Sequence, residues 1–102
     1  TTWLARAGEA EEAGDLEGAA SALARAVRRA LARVRPDAAT RATEELFAET
    51  RGEARQLVVW LQRLDRLRFA PGGASAAELR ALRDEIVRWR EAGGPERLAR
   101  DC

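Results

Sequence analysis

The chain has 102 residues, 18 basic and 17 acidic side chains, a net charge of +1 and an apolar fraction of 46%. That length supports one domain with one core and requires neither a disulfide nor a metal to fold. The charge balance argues against a dedicated nucleic-acid binder, and the apolar fraction argues against disorder.

Every basic residue is an arginine, and His, Lys, Tyr, Asn and Met are absent, a bias that coding rich in G and C produces without any chemical demand. The single cysteine, Cys102, is the last residue, so no internal disulfide framework exists and a reducing compartment fits. The chain opens Thr1-Thr2 without a methionine, which reads as a piece of a longer protein. No run approaches the roughly 18 apolar residues of a membrane span, and no charged-then-apolar signal sequence is present.

In chain order, Thr2 is placed to cap a first helix ending at Ala13, with Trp3, Ala7 and Ala10 on one face and Leu4 beside them. Glu9, Glu11 and Glu12 read as solvated. Gly14 stops this helix and Asp15 caps the next, which predicts an antiparallel helical hairpin. In the second helix Leu16, Ala19, Ala20, Leu23, Ala26, Val27, Ala30, Leu31 and Val34 keep the helical period over roughly 28 Å. Pro36 and Asp37 close it, and residues 37–43 read as a linker. Thr40 or Thr43 is placed to cap a short third helix over about 44–50, anchored by Leu46 and Phe47, and Gly52 separates it from the next.

Residues 53–73 form the most apolar stretch. Leu57, Trp60, Leu61, Leu64 and Leu67 make one helical stripe, and Val58 and Val59 widen it, which predicts a central helix with Trp60 in the core. Phe69 precedes a stop at Pro71-Gly72-Gly73 and is expected to pack as a lid where the helix ends, with Pro71 redirecting the chain. Ser75 and Glu78 spell a capping box. A last helix follows with Leu79, Leu82, Ile86 and Trp89 in phase and i,i+4 pairs Arg80–Asp84 and Asp84–Arg88. Gly93, Gly94 and Pro95 end it. The reading is therefore an all-α bundle of four main helices and one short one, a single domain over 1–95 with 96–102 as a tail or linker end.

Little in this set is chemical. No histidine serves as a base, Ser21 lies inside a helix, Ser75 is committed to a cap and Cys102 sits on the tail, so no nucleophile stands beside a base. Glu44, Glu45 and Glu49 lie close together but read as a solvated helix face rather than an acid–base pair. No metal-ligand spacing and no glycine-rich phosphate loop occurs, so no catalytic, cofactor or metal residue is assigned. The patch that stands out is on the second helix, where Arg25, Arg29 and Arg33 form an i,i+4 ladder with Arg28 beside it. Its plain reading is a solvated face partly paired with acids of the first helix. Its functional reading is a docking surface for an acidic partner or anionic lipid headgroups. No aromatics interleave the arginines for base stacking, which disfavours nucleic acid.

The segment Gly14-Asp15-Leu16-Glu17-Gly18-Ala19-Ala20, followed by Ala26, resembles the second half of a tetratricopeptide-type hairpin, with no second copy at a 34-residue period. With Arg68-Phe69-Ala70-Pro71 ending an apolar helix, then a loop and a last amphipathic helix, the chain resembles the C-terminal cytosolic domain of BatD proteins over roughly residues 7–89. In this chain alanines fill the second helix where that family carries aromatics, and Asp65 stands in for the acidic residue before the arginine of the motif. The resemblance implies a non-enzymatic interaction module on the cytoplasmic side of the bacterial inner membrane, as part of a membrane-anchored protein. The partners it implies are MoxR-type AAA+ ATPases and von Willebrand factor A-type proteins. A neighbouring family, the helical domain of unknown function at the cytosolic end of membrane-bound transglutaminase-like proteins, also starts from a Gly-Asp hairpin. A stand-alone helical regulatory protein is a further alternative. The site expectations are Arg25, Arg28, Arg29 and Arg33 as the protein contact, and Trp60, Arg68, Phe69 and Pro71 as a structural motif.

Overall fold

The computed structural model describes residues 2–69 and 75–100. Within them the order is α1 (Trp3–Glu12), α2 (Leu16–Ala32), a 3-10 turn η1 (Pro36–Ala39), α3 (Thr43–Glu49), α4 (Gly52–Phe69), α5 (Ala76–Glu91) and α6 (Gly94–Arg100), with no strand among the described residues. The chain is all-α, with six α-helices where the sequence pattern indicated five.

Local chemistry sets most of the helix ends. Thr2 Oγ1 accepts the Ala5 N–H at 3.1 Å and Asp15 Oδ1 accepts the Gly18 N–H at 2.9 Å, each satisfying one of the orphan donors of a first turn. Gly14 lies at φ 80°, a left-handed conformation open to glycine at no steric cost. The three residues between α1 and α2 then fold α2 back along α1. Ser75 Oγ accepts the Glu78 N–H at 3.4 Å, the serine half of the capping box.

The start of α3 departs from expectation. Ala42 occupies the N-cap without a side-chain bond, Thr40 Oγ1 donates to the Asp37 carbonyl at 3.2 Å, and Thr43 is buried inside the helix. The Thr43 hydroxyl is taken up by a tertiary contact instead of a cap: it donates to Asp65 Oδ2 at 3.0 Å and accepts from Arg28 Nη2 at 3.3 Å.

Two helices share the centre. α2 packs on α1, α4, η1 and α5, while α4 packs on α2, α3, α5 and α6. Leu23, Val27 and Leu31 of α2 meet Leu57, Val58, Trp60, Leu61 and Leu64 of α4 and Leu79, Leu82 and Ile86 of α5 in one cluster. Each such side chain stabilises the fold by about 1.5–3 kcal/mol on burial. Ala19, Ala20, Ala22 and Ala24 are also buried, and their small side chains permit the neighbours of α2 to approach closely. Trp60, the expected core residue, is 2% exposed.

Three expectations are corrected. Residues 96–100 are not a tail: they belong to α6, whose Leu98 is 1% exposed. Gly93 at φ 83° turns the chain and Pro95 sits in the first turn of α6, so Gly-Gly-Pro both ends one helix and starts the next. The packed structure thus continues past residue 95, and residues 101–102, with Cys102, lie outside the described residues. Phe69 is not a lid but is 77% exposed, with the Arg68 guanidinium 5.4 Å from its ring centroid. Phe69 is the last residue of α4, five residues beyond Leu64, the last buried side chain of that helix. Ala70 and Pro71 of the same motif lie outside the described residues. Lastly, Arg80 reaches Glu11 on α1 rather than pairing with Asp84.

Candidate protein-interaction face

The four arginines singled out on α2 divide by direction. Arg25, Arg29 and Arg33 are exposed, and none has a carboxylate partner among the described residues. Arg25 instead lies over the Trp3 ring at 4.9 Å, with Arg6 4.5 Å from the same ring, so a half-buried indole holds two guanidiniums by cation–π attraction. The expected pairing of this face with acids of α1 does not form.

Arg28 points elsewhere and is corrected from contact residue to structural anchor. Its Nη1 donates to the Ala38 carbonyl at 2.6 Å and the Arg41 carbonyl at 3.2 Å, while Nη2 reaches Thr43 Oγ1 and, through it, Asp65. One planar fork thereby ties α2 to η1, α3 and α4, a task for which its fixed donor geometry suits it. A helical wheel places Arg28 beside the ladder but does not say which flank the next segment covers.

Beside the ladder lies an open cleft of about 370 Å³. Its walls are Trp3 and Leu4 of α1, Val27 and Ala30 of α2, and Ile86 and Trp89 of α5, with Trp60 at the base and Arg29, Arg33 and Arg90 around it. Trp89 meets Trp60 edge to face at a centroid distance of 5.6 Å. The Trp89 Nε1–H donates to Glu53 Oε2 at 2.8 Å, and Arg97 Nε donates to Glu53 Oε1 at 2.8 Å. These two donors, Arg97 first, hold the Glu53 carboxyl below the usual glutamate range. Trp60 Nε1 is buried and has no acceptor among the described residues. Sequence reasoning missed this cleft, because Trp3, Ala30, Trp89 and Arg90 come from three helices whose relative placement no single periodicity reveals.

Several acidic residues are taken up by ion pairs. Glu49 binds both Arg35 and Arg41, Glu45 Oε2 lies 3.2 Å from Arg41, and Asp37 lies 3.4 Å from Arg35 and 3.2 Å from Arg41. The Arg35 guanidinium holds both Glu49 and Asp37 below the usual carboxylate range. This network fastens η1 to α3 on the surface. Glu11, expected in solvent, has a side chain only 7% exposed, 3.3 Å from Arg80 and 2.6 Å from Arg83, joining α1 to α5. Among the described residues no group of three His, Cys, Asp or Glu is arranged to hold a metal, and no helix is long and apolar enough to cross a membrane.

The fold and this face define an all-helical domain with an arginine ladder alongside a tryptophan-walled cleft. Comparison of the chain with protein-family models, with curated proteins and with solved structures finds no match.

Proposed function

We propose that the domain is a non-enzymatic protein-interaction module that docks a partner on the exposed side of α2. The observation that carries this is the ladder itself: Arg25, Arg29 and Arg33 follow one another a turn apart on one face, all exposed and none with a carboxylate partner among the described residues. An unpaired guanidinium keeps its whole donor fork for a partner, and arginine is enriched at interfaces for that reason. The non-enzymatic reading is supported by the carboxylates that acid–base chemistry would draw on: Glu45 and Glu49 are committed to Arg41 and Arg35.

The resemblance to the BatD cytosolic domain supports a MoxR-type AAA+ ATPase or a von Willebrand factor A-type protein as the partner, on the cytoplasmic side of the bacterial inner membrane. The test is a pull-down and titration against those proteins of the same organism, comparing wild type with an R25E/R29E variant at low and high salt. Binding that weakens with salt and in the variant is the expected result, since charge steering is screened beyond about 10 Å at 0.1 M salt. Binding that is equal in both proteins and indifferent to salt removes the ladder from the interface. No binding to any of these partners by folded protein removes the BatD reading.

A further inference from the structure

We infer that the cleft between α1, α2 and α5 receives an acidic peptide segment, with one large apolar side chain seated between Trp3 and Trp89 and carboxylates flanking it on Arg29, Arg33 and Arg90. This rests on the protein-docking reading and specifies what the partner presents.

Three observations converge on it. The cleft, of about 370 Å³, is walled by apolar side chains, the composition of a site that takes an apolar group. Its charged lining is of one sign: Arg29 of α2 and Arg33 at the C-cap of that helix stand one turn apart and Arg90 stands on α5, all three exposed and none with a carboxylate partner among the described residues. Cations from two helices around an apolar slot match an apolar anchor with acids on both sides of it, and guanidinium forks bind carboxylates at two points. The third observation is Trp60, which lines the cleft and is 2% exposed, yet its indole N–H has no acceptor among the described residues, an uncommon state for a buried donor. The open form of the slot favours a chain that enters and leaves over a small molecule that would be enclosed.

The test is selection of a displayed library of random 12-residue peptides on the immobilised domain, followed by titration of the enriched peptides by fluorescence anisotropy. Chemical shifts of the three tryptophan indole N–H signals are followed in the same titrations. Expected are peptides with a large apolar residue among acids, shifts at the indoles, and affinity weakened roughly tenfold or more by R33E or R90E and by the cleft-filling A30L. Thermal melts of the three variants verify that each is folded. Enrichment of basic or uncharged peptides, no enrichment at all, or binding indifferent to A30L and R90E overturns the inference. So does saturable binding of laurate that displaces the peptides and matches their dependence on the variants more tightly, which would make the slot a fatty-acid site. Sedimentation showing a dimer that A30L dissociates would assign the slot to a second copy and also overturn it. A partner pull-down lost in R25E/R29E but untouched by A30L and R90E removes the cleft and leaves the docking face standing. The reverse pattern removes Arg25 and Arg29 from the contact and leaves the cleft with Arg33 and Arg90 as its cations, which overturns the part of the inference that rests on Arg29.

Discussion

Gly94 is where one added methyl group should do the most damage. A Cβ built there would meet the Trp89 ring at 2.1 Å from Cε2, 2.3 Å from Cδ2 and 2.4 Å from Nε1, all well inside van der Waals contact. The indole must move, because the glycine is buried at the start of α6 and the backbone cannot retreat without unseating Leu98. Moving the indole puts at risk its hydrogen bond to Glu53 and its edge contact with Trp60. Overpacking alone costs about 1–3 kcal/mol. A hydrogen bond to a charged acceptor adds about 1.5–3 kcal/mol where it is lost. Gly94→Ala should therefore cost about 3–5 kcal/mol and lower the melting temperature by at least about 10 °C, at about 4–8 °C per kcal/mol for a domain of this size. Gly8→Ala is the matched control: its Cβ would sit 3.7 Å from the Arg83 guanidinium, an ordinary contact, so the helix propensity of alanine should make it neutral or stabilising by up to about 1 kcal/mol. Thermal melts followed by circular dichroism measure both. If Gly94→Ala melts within about 2 °C of wild type and leaves the Trp89 indole signal in place, the packing of α6 against α5 described above is wrong.

Three further outcomes follow from the same contacts. Trp60→Ala should cost about 3–5 kcal/mol by urea titration, the range for deleting a large buried aromatic, and a loss below about 1 kcal/mol would mean that α4 is rotated. Arg28→Ala should cost about 1.5–3 kcal/mol and Arg28→Lys should recover little, since one ammonium cannot span two carbonyls and a hydroxyl, whereas Arg29→Ala should change stability by less than about 0.5 kcal/mol. Because the folded pKa of Glu53 is depressed, its contribution is complete above the ordinary glutamate range and is lost as pH falls through the folded value; the stability gap between wild type and Glu53→Gln should be widest near neutral pH and close on acidification, and a gap that stays constant down to about pH 3 would refute the assignment.

The helices were legible wherever a period of 3.6 ran for three turns or more. α1, α2, α4 and α5 each carry such a stripe, and Thr2, Asp15 and Ser75 cap three of them as their side-chain chemistry dictates. α6 was not legible, because a seven-residue helix with one buried leucine has no period to read, and its stability comes from Leu98 and from Arg97 on Glu53, a contact 44 residues away in sequence. Phe69 failed for a related reason. Its hydrophobicity was weighed without its place along the helix, and it falls at the end of α4, more than a turn past Leu64, the last buried side chain there.

The candidate face shows the same limit one level higher. That α2 carries arginines on one side can be read from spacing, but whether a given arginine ends in solvent or in structure depends on what later segments lay against it. Arg28 and Arg29 are neighbours in sequence with the same side chain, yet η1 and the start of α3 offer carbonyls and a hydroxyl to the first and nothing to the second. Arg28 is only partly buried, but its donors are already taken by the fold, and this sharpens the meaning of the ones left over. A guanidinium whose donors find no partner within its own fold gains more from an incoming carboxylate than one that must first break a pair. Among the described residues Arg25, Arg29 and Arg33 meet that condition along one face, and Arg90 meets it across the apolar slot from Arg29 and Arg33.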